Sequence, residues 1–358
     1  MAELLPYLLL VTFYTPPLTG LDATHLQAIA ASPYQGVASP LTSAYEVAPV
    51  PTNGELAAVA GLVRQQLPDK HVWPWVFLNR IIGRAAHAEG HAHSGAPEHE
   101  YFTSIKGMDL WDETGALSDW LAIWRLALRL SDDLGAPGIL VDLEAYNDYR
   151  AYDPVYLAER TGKPVEEVIA RLKEIGADMA AAIEEEREGT VIWTLFSGLD
   201  RPRYGPGNST YFRSVGYLLL GMLEAAQEKS LPLTIVSGGE VGLGYYNDSL
   251  ERLQAKISAR QEQFGELLEE MAGRLQLGGT IALWHDPSLL TGWAARVAGD
   301  DPPFRSVDDF APLVDELLAS YRWVWIYAAS AVGYDPYDAQ VAAPYNRVLQ
   351  EALERRQR

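Results

Sequence analysis

The sequence predicts an α/β chain folded as a (β/α)8 TIM barrel, a single domain over residues 1–358 with a long insertion after the third strand. Three observations predict it. Short apolar runs alternate with amphipathic stretches along the whole chain, and eight of each can be counted. The length of 358 residues exceeds one average domain but fits one such barrel. No short-period repeat, low-complexity linker or second-domain boundary interrupts the alternation.

Strand one is expected at Tyr7–Tyr14, with a helix around Asp22–Ala31. Strand two, Gly36–Ser39, precedes a Pro-rich loop and a helix over Asn53–Gln66. Strand three is Val72–Leu78. The insertion at 79–115, expected at the C-terminal face, follows it, and then a helix over Ser118–Leu134 with Ser118 as its N-cap. Strand four is the run Gly138–Val141 behind a Pro-Gly turn, and its helix starts near Pro164, a residue suited to a first helical turn, and runs to about Glu188. Strand five is Thr190–Phe196, with a helix over about Tyr211–Glu228. Strand six is Leu233–Ser237, followed by a long helix over Ser249–Leu275. Strand seven, Thr280–Trp284, leads to a helix near Val307–Tyr321. Strand eight, Trp323–Ala328, is closed by a helix over Tyr345–Arg355.

Composition excludes several function classes. The formal net charge of −20 repels a phosphate backbone, so no nucleic-acid partner is expected. The absence of cysteine removes disulfides, thiolate catalysis and Cys-ligated zinc. The apolar start of the chain is too short to span a bilayer and lacks a basic segment before it, so no membrane partner is expected. Location stays open between cytoplasmic and secreted with the leader absent from this chain, and oligomeric state is not legible. Gly242–Gly244 lacks the third glycine of a dinucleotide fingerprint, and neither a phosphate-cradling loop nor a G-x-S-x-G occurs. No cofactor is expected.

In this fold the active site forms at the C-terminal ends of the strands. The residue pair that stands out there is Asp142 and Glu144, a D-x-E that ends the fourth apolar run. Alternation sends both carboxylates to one side of the sheet. Two like charges so close raise one pKa, which is how an acid/base pair is made. The plainer reading is a strand-end carboxylate that caps the next helix or pairs with Arg150. Further carboxylates expected at the mouth are Glu240, in a Gly-rich loop after strand six, and Asp286, after strand seven. Each could equally be a solvated loop acid or, for Asp286, a turn residue before Pro287. Candidate substrate-binding residues are Tyr14, Asn79, Arg80, Tyr146, Asn147, Trp284, His285 and Tyr334. Ten Trp and 19 Tyr supply the flat rings that sugar clefts use for stacking.

With the D-x-E, the aromatics beside it and the tryptophans Trp284, Trp323 and Trp325 assigned to the ends of strands seven and eight, the sequence resembles the (β/α)8 glycoside hydrolases, without matching one family among them. The resemblance implies hydrolysis of a glycosidic bond in an oligo- or polysaccharide, with Glu144 as general acid/base, Asp142 orienting it, and retention the favoured outcome. In the large retaining clan the partner would be Asp286; that clan has Asn-Glu where this chain has Leu143-Glu144. In chitinase-like enzymes a D-x-D-x-E supplies the acid, and Leu140 stands where its first Asp would be. Pairing Glu144 with Glu240 is the third arrangement the residues allow.

Two readings compete. One is a carbohydrate-binding barrel without catalysis. The other is a metal-dependent barrel hydrolase built on the His-rich segment 87–99, within AHAEGHAHSGAPEHE. That segment has no H-E-x-x-H on a helix and is set among Ala, Gly and Glu, so it reads as a solvated loop and no metal ligand is assigned.

Overall fold

The computed structural model describes residues 6–12, 14–41, 51–77, 110–111, 116–143, 153–187, 189–199, 213–244, 249–283, 306–328 and 334–357. Eight parallel strands close into a barrel in sequence order: β1 (Tyr7–Thr12), β2 (Gly36–Pro40), β3 (His71–Phe77), β4 (Gly138–Asp142), β5 (Thr190–Thr194), β6 (Leu233–Ser237), β7 (Leu275–Ala282) and β8 (Trp323–Ala328). The helices between them are α1 (Ala23–Ala31), α2 (Asn53–Gln66), α3 (Ala116–Asp133), α4 (Pro154–Thr161), α5 (Val165–Glu186), α6 (Arg213–Glu228), α7 (Leu250–Glu270), α8 (Ala311–Ser320) and α9 (Ala339–Gln357). This is the predicted (β/α)8 barrel. Among the described residues, no helix is long and apolar enough to cross a membrane.

The barrel interior is filled by unusually large side chains. The rings of Tyr7, Trp73, Trp193 and Trp323 meet inside it, with centroids 5.3–6.2 Å apart. Rings of that size fit because glycines face them. A β-carbon on Gly36 would lie 2.5 Å from the Tyr7 hydroxyl and 3.0 Å from the Trp73 ring. Alternation from these rings then fixes which residues point inward: Trp75 and Phe77 on β3, Leu140 and Asp142 on β4, Trp325 and Tyr327 on β8.

Several boundaries differ from expectation. Strand seven starts at Leu275, inside the stretch assigned to the preceding helix, which ends at Glu270. Gly278 and Gly279, before the expected strand start at Thr280, lie within the strand and both are packed. A β-carbon on Gly278 would meet Val236 at 3.0 Å inside the barrel, and one on Gly279 would meet Tyr321 of the outer layer at 2.8 Å. Helix α4 was not foreseen, although Asp153 caps it through the Val155 amide (2.9 Å), Pro154 opens it and left-handed Gly162 stops it. Ser118 is not an N-cap, since α3 already begins at Ala116. The last helix begins at Ala339, its first turn held by the Asp338 carboxylate, and Pro344 lies within it.

Candidate active site

Strand four delivers its acid as alternation requires. Asp142 ends β4, is 1 % exposed and is the register partner of Phe77 on β3. Its inward neighbour one step down the strand is Leu140, fully buried. Glu144, Tyr146 and Asn147 lie outside the described residues, as do Asn79, Arg80, Trp284, His285 and Asp286 and the His-rich segment.

The loop after β6 carries Glu240 on a tight turn, Glu240–Leu243, whose Val241 and Gly242 are not helical. The turn is reached through Gly239, whose φ of 91° suits glycine alone. The loop is tied to its neighbours by backbone bonds: Gly238 N–H donates to Thr194 O (2.7 Å) and Glu240 N–H to Leu195 O (3.0 Å). The Trp325 indole donates to Gly238 O (2.8 Å) from inside the barrel. Glu240 is half-buried.

A polar shelf forms where β1 meets β8. Tyr14 is half-exposed just past β1, and burial and then the charge of Asp335 push its hydroxyl pKa up. Thr15 is buried, with its hydroxyl 2.7 Å from the Tyr337 hydroxyl. The Asp335 carboxylate accepts from the Tyr337 amide at 2.9 Å. This shelf and the Asp142 and Glu240 positions all belong to the C-terminal end of the barrel.

Tyr334, beside Asp335, is turned inward. It is fully buried, 3.0 Å from the Tyr34 hydroxyl and edge-on to Tyr345 of α9 at 4.8 Å. With no exposed face it offers no stacking platform in this arrangement. Trp323 and Trp325, assigned by sequence to the end of strand eight, also lie lower, at the start and middle of β8 and inside the barrel. Tyr327, which alternation puts on the inward face at the strand's upper end, was missed; the pattern Trp323-x-Trp325-x-Tyr327 carried that signal. Among the described residues, no group of three or more His, Asp or Glu side chains could hold a metal ion.

No protein-family model matches the chain, and no curated protein sequence matches it. Among solved structures it is similar to a glycoside hydrolase family 5 enzyme from Prevotella bryantii, at 11% identity over 93% of this chain and 86% of that one, with a TM-score of 0.46. It is similar to the GH18 chitinase ChiB of Flavobacterium johnsoniae, at 10% identity over 98% and 94% of the two chains, TM-score 0.46. Endonuclease IV from Thermus thermophilus is as close, at 12% identity over 98% and 100%, TM-score 0.48. A (β/α)8 barrel can host many chemistries, so function has to be argued from the residues of the mouth.

Proposed function

We propose that this protein hydrolyses a glycosidic bond in an oligo- or polysaccharide, with the whole chain 1–358 forming one catalytic unit. The observation that carries the reading is Asp142, a buried, inward-facing carboxylate at the end of β4, two residues before Glu144. In the proposed mechanism Glu144 protonates the leaving oxygen, and Asp142 orients it and tunes its proton affinity. Glu240 or Asp286 serves as nucleophile or as base for a water. A separation from Glu144 of about 5–5.5 Å gives retention, the favoured outcome, and about 6.5–9.5 Å gives inversion. Tyr14, Tyr146 and Trp284 contribute stacking faces, with Asn79, Arg80, Asn147 and His285 binding hydroxyls, and the insertion 79–115 shaping one end of the cleft.

The test is release of 4-nitrophenol or reducing sugar from a panel of aryl glycosides and polysaccharides by the parent and by Glu144→Gln. Turnover by the parent that the substitution abolishes, with the melting temperature nearly unchanged, supports the reading. Sugar binding without turnover by the parent overturns it in favour of a binding barrel.

A further inference from the structure

Helix α7 sends a charged side chain into the protein. Arg260 is 3 % exposed, and its guanidinium reaches the top of the β6–β7 seam. Nη1 donates to Gly278 O at 2.5 Å, and Nη2 donates to Ser237 O at 2.6 Å and to Ser237 Oγ at 3.1 Å. The rings of Phe264 and Tyr321 lie 5.7 and 5.6 Å from the guanidinium carbon.

The loop carrying Glu240 is built on this group. A β-carbon on Gly239 would lie 3.0 Å from Arg260 Nη1, and one on Gly242 would lie 3.4 Å from Arg260 Cδ. Both glycines have positive φ, 91° and 110°, so the turn presses its backbone against the arginine in a conformation other residues avoid. The network also reaches the neighbouring loop. Ser237 Oγ is 2.9 Å from Ser197 Oγ, which accepts from the Leu199 amide at 3.3 Å. Burying an arginine is expensive, and a packed apolar side chain would serve stability as well or better. What an apolar residue could not do is hold a strand end, a second strand's carbonyl and two loops at once through one rigid fork of donors.

We infer that Arg260 is a positioning residue that fixes the loops after β5 and β6 and so sets the placement of Glu240 at the barrel mouth. Its catalytic consequence rests on the hydrolase reading above; its conformational consequence does not. The test is hydrogen exchange by mass spectrometry on the full-length parent and on Arg260→Met, Arg260→Lys and Ser237→Ala. In Arg260→Met, segments 195–199 and 237–244 should exchange about tenfold faster or more while β1 and β8 keep parental rates. Arg260→Lys, which keeps the charge but not the fork, should recover part of the protection. Ser237→Ala, which removes only the hydroxyl link, should loosen the same two segments and decides the matter if Arg260→Met fails to fold. Exchange that is unchanged there, or that rises evenly over the barrel, overturns the inference. On a glycoside that the parent hydrolyses, the variants should lose kcat with KM little changed. A parent inactive on every glycoside would remove the hydrolase reading and leave the exchange data to judge Arg260.

Discussion

Asp142 on β4 is paired in register with Phe77 on β3, so an acid only 1 % exposed stands beside an aromatic residue on the inward side of the barrel. The strand below it, Gly138–Val141, is wholly buried and has no other acid. The carboxylate therefore sits at the boundary between packed core and mouth. In the proposed mechanism it tunes the next acid along the chain.

Replacing Asp142 with Asn keeps the shape and removes the charge. We expect kcat/KM on a responsive glycoside to fall by about 10²-fold or more, in the range that acid/base assistance supplies. The melting temperature should change little, because the amide fills the same space. A variant that keeps full activity would remove Asp142 from the mechanism.

Carboxylate hydrolysis needs no metal. Parent protein dialysed against a chelator should keep its activity, and added divalent cations should not raise it. Loss on dialysis with recovery on adding one metal would point instead to the histidines of segment 87–99.

The Tyr334 hydroxyl bonds the Tyr34 hydroxyl in a fully buried position. Tyr334→Phe should cost about 1 kcal/mol of stability, the net worth of one buried hydrogen bond. Kinetic constants on any substrate should stay at parental values. A changed KM with unchanged stability would return Tyr334 to the binding surface.

The residues that sequence reading placed well are those whose signals are local. Leu233–Ser237 and Trp323–Ala328 are short runs rich in β-branched or aromatic residues and form strands over those bounds. Asn53–Gln66 carries its own start signal, Thr52 with Glu55 in a capping box, and is a helix over that range. Misplaced features depend on partners far along the chain. Gly278 and Gly279 sit in a strand because Val236 and Tyr321 fill the space a side chain would need. Tyr334 is drawn inward by Tyr34, 300 residues earlier. Arg260 reads as one more solvated charge on an amphipathic helix, and only the barrel brings Ser237 and Gly278 to it. At the mouth, alternation alone puts Asp142 and Glu144 on one side of the sheet, and the register with Phe77 is what makes the side of Asp142 inward.

His71 starts β3 with Nδ1 2.8 Å from the Tyr7 hydroxyl, and burial holds its pKa below the ordinary value. Near the unfolded value of about 6.5 the unfolded chain then binds more protons than the folded one. The contribution to stability is present above that pH and is lost as pH falls through the lower, folded value. The urea midpoint of the parent should fall more between about pH 7.5 and pH 5 than that of His71→Gln. Equal pH dependence in the two proteins would show that His71 does not carry it.

The contact between Gly36 and Tyr7 gives the most direct test of how the barrel interior is filled. A β-carbon on Gly36 would lie 2.5 Å from the Tyr7 hydroxyl, so Gly36→Ala should cost about 1–3 kcal/mol by overpacking. Tyr7→Phe removes the obstructing oxygen but strips a partner from His71 Nδ1 and from the Trp73 indole, each 2.8 Å away, so it too should destabilise. Because the second change opens the space the first one needs, the two should not add. The double variant should be more stable than the sum of the single losses by about 1 kcal/mol in a urea double-mutant cycle. Simple additivity would mean that the Trp73 ring, 3.0 Å from the same β-carbon position, sets the limit instead of Tyr7.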